Sequence, residues 1–155
     1  MLKLSVGYPD PEEEVQMLAR LQSQHPIEAL QPVATPQDLL EAQREVRLLP
    51  VSPDIQRYIA QVVAATRQHP AIRAGAGPRA SLGVQAVAQA LSYLQGHGFV
   101  TPDAVKEAAR GVLPHRLLLN IEARLAETSA ADLTEEILKT VAVPAEGLPV
   151  AGQTL

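Results

Sequence analysis

The sequence predicts an all-α protein, a helical bundle preceded by one short orphan β-strand. Three observations carry that prediction: helix-start signals at five of the 13 prolines, apolar residues at helical spacing after each, and only 3% aromatic residues. A core with so few rings must be filled by Leu, Ala, Val and Ile, and Ala- and Leu-rich chains favour closely packed helices over sheets. At 155 residues the chain has the size of one domain, and with 46% hydrophobic and 19% charged residues it is too apolar to stay disordered.

Asp10-Pro11, Thr35-Pro36, Ser52-Pro53, Gly77-Pro78 and Thr101-Pro102 each pair a possible N-cap with proline at the first helical position. There the missing N–H is not needed and the fixed φ suits the helix. Carboxylates follow in the first turn after four of them, at Glu12 and Glu13, Asp38, Asp54 and Asp103, where they complement the helix dipole. After Pro53 an apolar stripe runs through Ile55, Ile59, Val62, Val63 and Thr66. Similar stripes follow the other prolines: Val15, Leu18 and Leu21; Leu39, Ala42, Val46 and Leu49; Val84, Val87, Leu91 and Leu94; Val105, Ala108, Ala109 and Val112. A sixth helix is expected near Asp132 to Val141, making a bundle with short connections.

Residues 2 to 8 alternate apolar and polar at Leu2, Leu4, Val6 and Tyr8, the period of a half-buried strand. No second strand is visible downstream, and an isolated strand leaves its backbone groups unpaired. The inference is that the chain is the C-terminal piece of a longer protein, cut near its last sheet strand. Residues 1–8 then end an upstream core, residues 9–143 form the helical domain, and residues 144–155 read as a loose tail.

Several function classes fall away. Without cysteine there is no disulfide scaffold, thiolate metal site or cysteine nucleophile, and His25, His69, His97 and His115 have no ligand spacing. No apolar run is long enough to span a bilayer, and no secretion signal is visible, so the cytoplasm is the expected compartment. There is no G-x-x-x-x-G-K-[ST] phosphate loop and no dinucleotide fingerprint. Glu12, Glu13 and Glu14 read as a helix start rather than as acid–base machinery.

Charge is unevenly placed. The net charge of −4 divides into −4 over residues 1–50, +4 over residues 51–120 and −4 over residues 121–155. An anionic ligand is therefore sought in the middle. Arg57, Arg67, Arg73, Arg110 and Arg116 read as solvated surface residues. Arg79 differs, because it falls in the first turn of the helix opening at Pro78, where a cation opposes the dipole. Free N–H groups at a helix start bind anions, and an adjacent guanidinium can hold a phosphate through two hydrogen bonds. Gly75 and Gly77 allow the preceding loop to approach a ligand closely. An arginine paired with an acid elsewhere in the chain is the alternative reading.

With these residues in view, the sequence resembles the C-terminal part of a MoxR-family AAA+ ATPase. The resemblance rests on Leu2 to Glu14, Val51-Ser-Pro-Asp54 with the helix to Arg67, Gly75-Ala-Gly-Pro-Arg-Ala80, Val100-Thr-Pro-Asp103 and Leu113-Pro-His-Arg-Leu117, in order over residues 2 to 119. It implies an AAA+ lid-like bundle whose phosphate loop, metal-binding acids and first sensor lie in a core upstream. It also implies that ATP and Mg are bound mainly by that core, and that Arg79 occupies the sensor-2 position near the γ-phosphate. Gly75, Gly77 and Pro78 then line the cofactor-binding loop, and no metal is expected on this chain. The family usually has Ser where Gly77 stands. No chemical role carries over to His115 and Arg116. The implied partners are the chain's own AAA+ core, neighbouring ATPase subunits and von Willebrand A domain proteins, in chaperone-like maturation of other proteins. The competing readings are a helical nucleic-acid-binding module using the cationic middle, and a peptide-binding adaptor. Sparse aromatics and the lack of a basic helix argue against nucleic acid.

Overall fold

A computed structural model of the chain describes residues 1–21 and 25–144. Seven α-helices form among them: α1 (Pro11–Leu21), α2 (Pro36–Leu48), α3 (Pro53–Gln68), α4 (Pro78–Leu94), α5 (Pro102–Val112), α6 (Ile121–Leu125) and α7 (Ala130–Thr140). Strand β1 (Ile72–Ala74) lies between α3 and α4, and β2 (Leu118–Leu119) between α5 and α6. The helical bundle is as expected, and all five proline-marked starts open a helix at the proline itself. Ser52 Oγ accepts the Ile55 N–H at 3.2 Å, and Thr101 Oγ1 accepts the Ala104 N–H at 3.2 Å. Asp10 with Glu13 and Thr35 with Asp38 exchange bonds in both directions. Caps of this kind are each worth about 1 kcal/mol.

The chain forms two compact units, one over Leu4–Gln43 and one combining Met1–Lys3 with the chain from Arg44 onward. In the first, α1 and the opening of α2 bury no residue. The stripe expected on α1 is exposed, with Val15 at 58% and Leu18 at 73%, whereas along the α2 stripe Leu39 is exposed at 60% and Ala42, Val46 and Leu49 are half-buried. Apolar spacing specifies a face without specifying what covers it.

The second unit holds the core. Ile55, Tyr58, Ile59, Val62 and Val63 of α3 meet Ala80, Val84 and Ala88 of α4, Ala104, Val105, Ala108, Ala109 and Val112 of α5, and Leu133, Ile137 and Leu138 of α7. Small residues let α4 and α5 approach closely: a Cβ on Gly83 would stand 3.3 Å from Val112 Cγ1. The helix expected near Asp132 starts at Ala130, where Ser129 and Asp132 form a capping box. Tyr58 is 1% exposed and, among the described residues, its hydroxyl has no hydrogen-bond partner. An unmet buried donor costs about 1–3 kcal/mol. Tyr58→Phe is therefore expected to raise the melting temperature by a few degrees, since about 1 kcal/mol moves Tm by about 2–4 °C at this size. A lowered Tm in a thermal melt would show that the hydroxyl is partnered in solution.

Two expectations are corrected. Residues 2–8 form no strand among the described residues; the Lys3 N–H donates to Gly111 O at 3.1 Å, and Leu2 packs so closely on Gly111 that a Cβ there would collide with it. Alternation alone makes no strand without a ladder beside it. Conversely, strands do occur downstream. β1 and β2 pair antiparallel, Ile72 opposite Leu119 and Ala74 opposite Leu118, with an irregularity in register between them. Of the segment read as a tail, residues 145–155 lie outside the described residues.

Candidate functional site

β1 feeds directly into the segment that the sequence singles out. Gly75, Ala76 and Gly77 link β1 to α4, and Arg79 follows as the second residue of that helix. The loop is seated on the last turns of α3. A Cβ on Gly75 would stand 2.6 Å from Thr66 C, Thr66 O and Arg67 N, so only glycine permits this approach. Ala76 is 1% exposed, and its N–H donates to Thr66 Oγ1 at 2.9 Å. Gly77 is the N-cap, in extended backbone at φ −86° and ψ 177°, and gives the helix no side-chain cap. The first turn of α4 holds no acidic residue, so the electropositive end of a 17-residue helix is offset by no side chain of its own first turn.

Arg79 is exposed and, among the described residues, pairs with no carboxylate. It lines an open groove of about 530 Å³ together with Met1, Leu82, Gly83, Ala86 and Arg116. The sequence treated Arg116 as solvated surface, yet it shares this groove. Its Nε donates to Val112 O at 3.1 Å and its Nη2 to Met1 O at 3.3 Å. Neither bond neutralises its charge. Partial desolvation and the nearby charges of Arg116 and Lys3 hold the His115 imidazole below its ordinary value, in keeping with a cationic surrounding.

Three other cations of the middle segment are paired locally, while Arg67 and Arg73, like Arg79, pair with no carboxylate among the described residues. Arg57 bonds Asp54 at 2.7 Å, Lys106 lies 3.6 Å from Asp103, and Arg110 clasps Glu135 through bonds of 2.5 and 3.2 Å. This thins the cationic face that a nucleic-acid reading requires. His69 accepts the Ala71 N–H at Nδ1 and lies 3.4 Å from Glu136 through Nε2, holding the exit of α3 to α7.

Pairing around α7 also fixes a pH dependence. Hydrogen bonds from Ser129 hold the Asp132 carboxyl below its ordinary value, and Arg110 does the same for Glu135. Both folded values lie below the unfolded ones, so the native state binds fewer protons on acidification. Their contribution to stability is complete above the ordinary carboxylate range and is lost as pH falls through the lowered values. Thermal melts are expected to be flat near neutrality and to fall in acid, with Glu135→Gln shallowing the acid decline. An equally steep decline in that variant would refute the assignment.

The phosphate end of a nucleotide fits this loop: an uncapped helix start, an unpaired guanidinium and a second arginine on one groove are what a polyanion requires. Among the described residues no three His, Asp or Glu side chains converge as metal ligands would. Thr66 is the residue that sequence reasoning missed, since at the end of an apolar stripe it reads as core filler. No helix of the described residues is long and apolar enough to cross a membrane.

Comparison with known proteins agrees with this layout. A family model described as the AAA lid domain matches residues 64–140, from the end of α3 through α7. A Bacillus subtilis (strain 168) protein, the uncharacterized protein YeaC, is 37% identical over 146 residues, covering 94% of this chain and 46% of the relative. The chaperone MoxR1 of Mycobacterium tuberculosis is 36% identical over 153 residues, covering 93% of this chain and 40% of the relative. A solved structure from Cytophaga hutchinsonii, of a protein thought to be an ATPase, superimposes with a TM-score of 0.83 at 29% identity, over 93% of this chain and 46% of that one. The chain thus spans less than half the length of the relatives it matches. A helical bundle with one two-strand ladder, a lid model over that same region and relatives at these identities converge on one family: the chain carries the lid domain of a MoxR-like AAA+ ATPase.

Proposed function

We propose that this lid senses the terminal phosphate of ATP held by an ATPase core and assists its hydrolysis. The observation that carries the reading is the unpaired Arg79 guanidinium at the uncapped start of α4, on a groove that Arg116 also lines. Bound ATP would supply the γ-phosphoryl group for transfer to water. Arg79 can present two N–H donors to two phosphate oxygens at once, and their attraction grows as negative charge builds on the transferred group. When that group departs, Arg79 loses its partner. α4 is packed against α5 through small residues, so the change is carried through the helices as a movement of the lid. Magnesium belongs, in this reading, to the core.

Residues 1–8 would complete the core and residues 9–143 the lid. The partners are the core itself, neighbouring ATPase subunits and proteins with von Willebrand A domains, in the cytoplasm. The work performed would be chaperone-like maturation of other proteins, a role supported by the name of the Mycobacterium tuberculosis relative. ATP turnover by the full-length protein carrying Arg79→Ala tests the reading, and a rate equal to the parent's would overturn it.

A further inference from the structure

The loop that carries Arg79 is fastened by one buried hydroxyl. Thr66 lies in the last turn of α3 with 0% exposure. Its Oγ1 donates to Val63 O at 2.6 Å, a common local bond for a helical threonine. The same oxygen then accepts the N–H of Ala76 at 2.9 Å, ten residues along the chain. Among the described residues this is the one side-chain hydrogen bond made to Gly75, Ala76 or Gly77. Gly75 presses on the Thr66 and Arg67 backbone at the same place, so contact and hydrogen bond act together. Three residues after Ala76 comes Arg79, with no side-chain cap to orient the helix start between them.

We propose that Thr66 is a positioning residue for Arg79: its hydroxyl sets the height and direction of the loop, and through the loop the place where the guanidinium meets phosphate. This rests on the reading of Arg79 as a phosphate contact. The physical basis is that transition-state contacts tolerate little displacement, and a shift of about 1 Å costs about 100-fold in rate. Valine has the shape of threonine without the hydroxyl, so Thr66→Val removes the acceptor and leaves the Ala76 N–H buried and unpaired. The loop must then lift toward water. Thr66→Ser retains the acceptor.

The test is ATP turnover by the full-length protein, with kcat and KM measured separately and rates normalised to the folded fraction. Thr66→Val is expected to lower kcat roughly tenfold, a partial displacement on the same scale, with little change in KM. Thr66→Ser should restore the rate, and in an Arg79→Ala background Thr66→Val should have no further effect. If Thr66→Val fails to fold, Thr66→Ala, which relieves crowding, is read in the same way. Parent-like kcat in Thr66→Val beside a slow Arg79→Ala would overturn the proposal and leave the phosphate reading intact, as would losses that multiply in the double variant. Parent-like kcat in Arg79→Ala would overturn both.

Discussion

Arg79→Ala in the full-length protein is expected to slow ATP hydrolysis roughly 100-fold or more, the usual effect of deleting one charged donor from a transition state. The same substitution should leave the fold unharmed. Arg79 is exposed, pairs with no carboxylate among the described residues, and stands at the end of a helix where its charge is unfavourable. Removing a cation from such a position gains about 0.3–1 kcal/mol. A variant that melts at or slightly above the parent's temperature while losing turnover would separate chemistry from stability. Loss of both together would instead mean that Arg79 is part of the scaffold. Arg79→Lys keeps charge but loses the two-pronged geometry, and it should recover only part of the rate.

Gly75→Ala is the second large expected effect, and it falls on stability. The new methyl group would stand 2.6 Å from three backbone atoms of Thr66 and Arg67, and backbone within a helix cannot turn aside as a side chain can. The loop would have to rise, withdrawing Ala76 from the core and breaking its bond to Thr66. Overpacking costs about 1–3 kcal/mol, and a buried amide left unpaired costs about 1–3 kcal/mol more. Gly77→Ala is the internal control, because a Cβ there meets nothing within 4 Å and its φ is ordinary. Thermal melts of the two variants side by side should show a marked drop for the first and little for the second. Equal melting would mean that the loop does not rest on α3.

Much of the helical layout was legible because proline and its capping residue mark a helix start by local chemistry alone. Ser52 and Thr101 cap as their spacing implies, and Asp10 and Thr35 do so with reciprocal partners, whereas the Ser129 cap of α7 carries no proline and was not read. The β1–β2 ladder was illegible: its strands are three and two residues long, too short for a period, and they pair across more than forty residues of chain. The segment 2–8 erred the other way, presenting an alternating pattern with no ladder among the described residues. At the candidate site, the sequence located Arg79, Gly75 and Gly77 from the oddity of a cation at a helix start. It could not locate Arg116 or Thr66, since one reaches the groove only through the fold of α5 and β2, and the other acts through a bond spanning ten residues.

That small ladder has a consequence for the groove. β1 ends five residues before Arg79 and β2 begins two residues after Arg116, so the two arginines hang from opposite edges of a single hem. Backbone bonds of the ladder tie together the two stretches of chain from which they extend. If the lid moves as the proposed function has it, a pair tied in this way would keep its bite on an anion while the whole jaw travels.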